Sequence, residues 1–485
     1  MERQVFNPYL PSHEYIPDGE PYVFEDRLYV FGSHDRFNGP FFCMNDYVCW
    51  STPVDDLKDW KYEGIIYKKT QDPLNRKARH SLYAPDVARG LDGRYYLYYT
   101  VGFTGVMSVA VSDTPAGKYE FYGHVHFSNG RVWGKASGDV FPFDPGVLVD
   151  DDGRVYLYSG FAPKVPLPAI ATGLKQHIMD GGYVIELEKD MVTIKREPKL
   201  IFNKVGKATG TGFENHEFFE ASSIRKVRSK YYFIYSSVHN HELCYAVSDN
   251  PMGEFKYGGT IISNGDIFLK GNSDEKNAYN YIGNNHGSIV EVNKQWYVFY
   301  HRQTNKHSYS RQGCAEPISI EESDMIRQVE MTSCGLNREP LIGVGRYSTS
   351  IVCNLMSKNG TGRYDKLFSR LSLLSHPYIT QKGRDREDNP NQYIANFRSG
   401  SIAGFKYFSV NSIKKIAIEI QGNAKGQVVI RSTLDCMEPV ARIIINTCNK
   451  ISKFESDIQL NDGKQALYFE FKGKGSFDFF TFELK

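Results

Sequence analysis

This sequence predicts an all-β protein, a five-bladed β-propeller followed by a C-terminal β-sandwich. Three observations predict it. One hairpin-forming unit recurs five times between residues 1 and 330. Long helical periodicity is absent, and Pro and Gly punctuate short β-rich runs throughout. After a less regular stretch, alternating β runs return from Tyr393 to Lys485.

The clearest copy of the unit is FDPGVLVDDDGRVYLYSG, from Phe143 to Gly160. A hydrophobic run, Val147 to Val149, meets an acidic turn, Asp150 to Gly153, and Val155 to Tyr158 returns. An Asp-Gly turn between β-rich runs is a strong hairpin signal. The other copies are YVFEDRLYVFGS from Tyr22, GLDGRYYLYYT from Gly90, SIRKVRSKYYFIYSS from Ser223 and SIVEVNKQWYVFYHR from Ser288. Their equivalent aromatics are Tyr29, Tyr96, Tyr156, Tyr232 and Tyr297, roughly 60–75 residues apart. Most hairpins lead into further strand. SVAVSDTPAGKYEFYG from Ser108 and CYAVSDNPMGEFKYGG from Cys244 are near copies of each other. Four-stranded sheets repeated radially make a propeller.

Two inter-strand segments, Phe161 to Asp180 and Gly259 to Asn285, show no sustained alternation and are expected to be loops. Residues 331–391 read as a connecting segment, with LFSRLSLLSHP from Leu367 as a short helix or a buried strand. Residues 392–485 carry six alternating runs and read as a sandwich.

Composition narrows the function. The 485 residues are 41% hydrophobic and 24% charged, with a formal charge of +2. No net field recruits nucleic acid or an acidic membrane. Aromatics reach 14%, leaving rings to stack on a ligand. The N-terminus shows no secretion signal and no apolar run is long enough to span a membrane. The eight cysteines form no CxxC pair and read as free buried thiols. A cytoplasmic location is expected.

In each hairpin the start of the first strand and the end of the second share one face. Eleven or twelve residues before the equivalent tyrosines lie Asp18, Asp144, Glu220 and His286; in the second copy the offset falls on Ala84-Pro85, beside Asp86. First strands line a propeller's channel, so these side chains are expected to converge at one mouth. Taken singly, Asp18 and Asp144 read as turn residues and His286 as a hydrogen-bonded core histidine. Glu220, between Phe219 and Ala221, sits in an apolar context that disfavours an idle charge. Asp92, Asp150, Asp151 and Asp152 read as solvated residues at the far hairpin tips. Three crowded carboxylates repel, which raises at least one pKa and supplies a general acid near neutral pH. Glycoside hydrolysis uses such a pair, about 5–5.5 Å apart for retention and about 6.5–9.5 Å for inversion.

At these residues the chain resembles glycoside hydrolase family 43. The resemblance rests on PDGEPYVFEDRLYVFGSHD from Pro17, YAPDVARGLDGRYYLYYT from Tyr83, DPGVLVDDDGRVYLYSG from Asp144, EASSIRKVRSKYYFIYSS from Glu220 and HGSIVEVNKQWYVFYHR from His286. It implies an inverting enzyme on a five-bladed propeller, of the α-L-arabinofuranosidase or β-xylosidase type. It implies Asp18 as general base, Glu220 as general acid, Asp144 as the carboxylate that tunes the acid, and His286 as the axial histidine. Arg311 is then a sugar-binding arginine. His34, Asp35 and His239 end second strands and are expected to border the pocket. The family often has Gly-Pro after the acid; here Ala221-Ser222 follows.

The C-terminal unit resembles carbohydrate-binding module family 6, in GFKYFSV from Gly404 and GKQALYFEFKGKGSFDFF from Gly463. It lacks tryptophan and can equally be a docking domain. No cofactor is required; a structural calcium is expected at most at the propeller axis or in the C-terminal domain. The expected partner is an oligosaccharide, with no nucleic acid and no membrane; no oligomeric state is predicted. The competing readings are a noncatalytic sugar-binding propeller and a glycosidase for another sugar, such as a galactoside or a fructoside.

Overall fold

A computed structural model describes residues 4–165, 175–269, 271–364, 373–388 and 391–485. Five sheets fall in chain order. Blade one is Glu20–Phe24, Arg27–Phe31, Tyr47–Pro53 and Lys61–Tyr67. Blade two is Leu82–Arg89, Tyr95–Val101, Met107–Ser112 and Glu120–His124. Blade three is Gly146–Val149, Val155–Phe161, Gly181–Leu187 and Thr193–Asn203, with His126–Phe127 added in parallel at its outer edge. Blade four is Phe218–Val227, Lys230–Ser237, Glu242–Ser248 and Lys256–Ser263. Blade five has three strands, Ile289–Val292, Gln295–Thr304 and His307–Ile318. All five expected hairpins form, and the equivalent tyrosines pair with Tyr22, Ala88, Leu148, Arg225 and Val290.

Alternation explains why the second strands read as unbroken apolar runs. In Tyr95–Val101 every residue is buried. Tyr96 and Tyr98 point into the core shared with blade three, beside Leu157 and Ile185. Leu97 and Tyr99 point the other way, into the core shared with blade one, beside Phe31 and Cys49. With period-two side chains, both faces of a central strand are dry. The ring closes because Leu28 and Val30 of blade one share a core with Tyr297 and Phe299 of blade five. The N-terminal segment reinforces that seam. Tyr9 N–H donates to Gly313 O at 3.3 Å, and Asn7 exchanges hydrogen bonds with Ala315 at 2.9 and 3.0 Å.

The C-terminal domain is one curled, hydrogen-bonded sheet. Its spine is a pair of long antiparallel strands, Lys415–Arg431 and Gly463–Leu484, paired along their length. Gly475 has φ +85°, and a Cβ there would lie 1.9 Å from Asn423 O of the paired strand. The inward side chains of both strands join a Phe- and Ile-rich core. Leu341–Ile342, Gly345–Ser348, Asn354–Met356 and Tyr378–Gln381 belong to the same sheet. They lie in the stretch read from sequence as a connection.

Several local expectations are corrected. Lys256–Ser263 is the outer strand of blade four, so the Gly259–Asn285 segment begins as strand and carries a 3₁₀ turn at Glu275–Asn277. Phe161 completes a strand, and residues 166–174 of the other expected loop lie outside the described residues. In the Leu367 segment, 367–372 also lie outside them, and Leu373–Ser375 is a 3₁₀ turn. Asp150 is buried, not solvated: it accepts from Tyr231 Oη and pairs with Lys226, which ties the tip of blade three to blade four. All eight cysteines are free; Cys448 is exposed and Cys436 half-buried, whereas the other six are buried as expected. Among the described residues, no helix is long and apolar enough to cross a membrane.

Candidate active site

The entrance ends of the innermost strands carry the chemistry. Asp18 immediately precedes blade one and Asp144 precedes blade three, in left-handed backbone at φ 58° and 45°. Glu220 lies inside Phe218–Val227 at an irregular register, followed by left-handed Ala221 at φ 69°. A strand interrupted in this way re-aims one side chain. His286 precedes blade five. All four, with Arg311, line one cavity of about 380 Å³. Blade two supplies Tyr83 and Ala84 instead of a carboxylate.

Asp18 is buried and held as an anion. Arg311 Nη1 donates to its Oδ1 at 2.9 Å. Its backbone N–H donates to His301 Nδ1 at 3.3 Å, and His301 Nε2 lies 2.9 Å from Asn284 O. A backbone N–H can only donate and a carbonyl can only accept, so the His301 proton sits on Nε2. Burial, then Arg311, pushes His301 down to about 3, so it stays neutral. Burial pushes Asp18 up, but Arg311 first and then the charge of His286 outweigh it and hold the carboxyl below its ordinary value.

Glu220 is treated in the opposite way. It is half-buried, its free surface turned to the cavity. A band of rings leads up to it: Phe141 to Phe143 at 5.7 Å, Phe143 to Phe161 at 5.1 Å, Phe161 to Phe219 at 5.4 Å. Burial first, then the charges of Asp144 and Asp18, pushes Glu220 well above the carboxylate range. Asp144 Oδ2 accepts the Ala221 N–H at 3.1 Å, which fixes it beside Glu220. Burial and Asp18 raise Asp144 to about 7 against the pull of His286. Asp144 and Glu220 therefore share protons as a pair.

His286 is the cation of this cluster. Its Nδ1 is 3.7 Å from Asp144 and its Nε2 is 3.7 Å from Glu20 Oε1. Burial opposes its charge, but Glu20, Asp144 and Asp18 raise it to about 9. Beneath it the axis is sealed by a polar network. Glu20 Oε2 accepts from Ser223 at 3.0 Å and from Arg225 at 2.7 Å, while Asp86 accepts from Tyr22 and from Val147 N–H at 2.7 Å. Each of these groups comes from a first strand. Calcium takes six to eight oxygen ligands; the carboxylates nearest His286 are those of Glu20 and Asp144, each 3.7 Å from a ring nitrogen. Among the described residues, His216, Glu242 and Cys244 have metal-ligand spacing. There Glu242 already accepts from His216, Ser237 and Thr260, and burial pushes the Cys244 thiol well up, so the group is a hydrogen-bonded knot in blade four.

Three expected pocket residues stand elsewhere. Asp35 is behind the wall: its carboxylate accepts Arg311 N, Nε and Nη2 at 3.0, 2.9 and 3.0 Å and aims the guanidinium at Asp18. His34 is buried and neutral, with Nδ1 on Asp46 O at 2.8 Å and Nε2 accepting from Arg386 at 2.8 Å. His239 packs among His216, His241 and Phe268, and Asn240 is the residue of that turn that lines the cavity. The second strands end at Phe31 and Ser237, so these three side chains lie in the loops beyond them and their own contacts set where they point. Sequence reasoning missed the aromatic wall, including Phe41 and Phe103, and the support from His301 and Glu20. Phe41-Phe42 and Phe141-Pro142-Phe143 were visible as apolar loop residues, the only signal available.

The Glycosyl hydrolases family 43 profile matches residues 18–326. The chain belongs to that family. A relative from Thermoclostridium stercorarium, named Xylosidase/arabinosidase, is 50% identical over 484 residues, covering 100% of this chain and 99% of the relative. Another Xylosidase/arabinosidase, from Bacteroides ovatus, is 31% identical and covers 60% of this chain and 87% of its own. This family 43 glycoside hydrolase also shares its fold with a Bacillus subtilis arabinoxylan arabinofuranohydrolase, at a TM-score of 0.51 and 20% identity over 98% of this chain and 96% of that one.

Proposed function

We propose that this family 43 hydrolase is an inverting, exo-acting glycosidase that removes terminal α-L-arabinofuranosyl or β-D-xylosyl residues from short (arabino)xylan oligosaccharides. One observation carries the assignment of roles: a single cavity holds Asp18 as an anion and Glu220 as an acid. Asp18 takes the proton of the attacking water. Glu220 gives its proton to the departing glycosidic oxygen. Asp144 keeps the Glu220 proton in place at neutral pH, and Arg311 and His286 offset the charge that remains. A pair of titratable groups pushed apart in this way is the signature of acid and base in one reaction. The pentose preference rests on the full-length relative named Xylosidase/arabinosidase, and the cavity is of a size for one sugar and part of its leaving group.

The test is release of p-nitrophenol from the α-L-arabinofuranoside and the β-D-xylopyranoside, with Asp18→Ala and Glu220→Ala beside the parent. Proton NMR during turnover of a natural disaccharide reads the first anomer formed. Inverted product, lost in both variants, is the expected result. Retained configuration, or undiminished turnover by Asp18→Ala, would sink the mechanism.

A further inference from the structure

The loop between the second and third strands of blade one, residues 32–46, brings Phe41, Phe42 and Cys43 into the cavity wall. It contains no strand of its own. Ser310, Lys69, Ser81 and Arg311 of the propeller hold parts of it, and the C-terminal domain adds a further hold. A turn at 383–387 is braced internally, Arg384 N–H donating to Glu387 Oε2 at 2.7 Å and Gln381 Nε2 to Arg384 O at 3.2 Å. From its tip Asp385 reaches the loop. Oδ1 accepts Phe37 N–H at 2.6 Å and Oδ2 accepts Asn45 Nδ2 at 3.0 Å. The same Asn45 amide also donates to Asp35 O at 3.0 Å. A second tie runs from Ile379 and Thr380 through Asn305 to Asn38.

The chain of contacts continues to the chemistry. Cys43 N–H donates to Asp35 Oδ1 at 2.9 Å. Asp35 grips Arg311 at three nitrogens, and Arg311 donates to Asp18. We propose that Asp385 is a positioning residue for the catalytic pocket, clamping the blade-one loop at both ends so that Asp35 presents Arg311 to Asp18. The C-terminal domain is then a working part of the hydrolase site as well as a neighbour of it. The kinetic half of this proposal rests on the function proposed above; the structural half does not. Charge-assisted acceptors of this kind carry more geometric weight than neutral ones, and a misplacement of about 1 Å in a supporting group costs roughly a hundredfold in rate.

The experiment uses the full chain with Asp385→Ala, the milder Asp385→Asn, which keeps one acceptor, and Asp388→Ala as a control on the same loop. The first readout needs no activity: alkylation of Cys43 by iodoacetamide, followed by peptide mass spectrometry, with buried Cys314 reporting global opening. Cys43 labelling about tenfold faster in Asp385→Ala, with Cys314 and near-UV circular dichroism unchanged, is expected, and Asp388→Ala should match the parent. The second readout is the pH profile of kcat/KM on the p-nitrophenyl pentosides. Asp18 is faced by Arg311, His301, His286, Asp144 and Glu220, and loss of the Arg311 aim moves its acid limb upward by about one pH unit. Unchanged Cys43 labelling in both Asp385 variants overturns the proposal. Faster labelling with an unmoved acid limb overturns the positioning role and leaves only a tie between domains. If the parent turns over neither glycoside, the proposed function fails, and labelling alone decides whether the clamp exists.

Discussion

Arg311 Nη1 lies 2.9 Å from Asp18 Oδ1, and the other face of the same guanidinium is gripped by Asp35 at 2.9 and 3.0 Å. The pair is buried, so neither charge is screened by water. Arg311 comes from blade five and Asp18 from the entry to blade one, so the contact also spans the seam where the ring closes. It sets the ionisation of the proposed base. Removing the arginine takes away the largest opposition to the upward push of burial and leaves chiefly His286 against it. Arg311→Met should raise the acid limb of kcat/KM by about one to two pH units and cut its plateau more than tenfold. Arg311→Lys should recover part of the limb but little of the plateau, because an ammonium cannot hold Asp35 and Asp18 at once as the planar fork does. A stopped pH–rate series on the three proteins checks this.

The Glu220–Asp144 pair governs the opposite limb. Asp144 is among the charges that keep the Glu220 proton on. Asp144→Asn removes that charge, so Glu220 gives up its proton at lower pH and the basic limb should move down. Turnover at pH 6 should survive better than turnover at pH 8. An unmoved basic limb would show that Asp144 does not tune the acid.

The same pair makes a prediction about stability. Both carboxyls have folded values above their unfolded ones. Their contribution is therefore full below the unfolded values and is lost as pH rises through the folded ones, which for Asp144 is about 7. Glu220→Gln removes one of the two crowded charges. It should melt about 2–4 °C higher than the parent at pH 8, and near the parent at pH 5. Its rate should fall by about 10²–10⁴-fold on natural disaccharides. The loss should be smaller on aryl glycosides, whose leaving group needs little protonation. Differential scanning calorimetry at two pH values, with paired substrates, reads both effects.

Gly287 tests the packing beneath His286. A Cβ there would lie 1.8 Å from Phe299 O, and its backbone bridges to Gly19 beside Asp18. Gly287→Ala should cost about 1–3 kcal/mol in chemical denaturation. Gly206→Ala, where a Cβ meets nothing within 4 Å but φ is +78°, should cost less.

The hairpins, their order and the residues at their entrances were legible in the sequence because each depends on local chemistry. Turn residues, alternation and a fixed offset from a tyrosine put Asp18, Asp144, Glu220 and His286 at equivalent places before any contact is known. Arg311 was legible only through the resemblance, since nothing near it in sequence marks it as buried. His34 and Asp35 follow the second strand of blade one in the loop of residues 32–46. Where those side chains point depends on partners distant in sequence, Arg386 for His34 and Arg311 for Asp35.

The sequence by itself determined that the chain is β throughout, that five repeated units form blades, and which carboxylates share a rim, because strand periodicity and turn formation act over a few residues. Tertiary structure decided what holds the Asp18 carboxyl as an anion and keeps the proton on Glu220. That difference arises from Arg311 against Asp18 and from Asp144 and the phenylalanines of blade three near Glu220, groups distant in sequence. It also decided that residues 341–381 build the C-terminal sheet and that Asp385 reaches the blade-one loop. Burial and charge act through space, and only the folded chain brings these groups within range of one another.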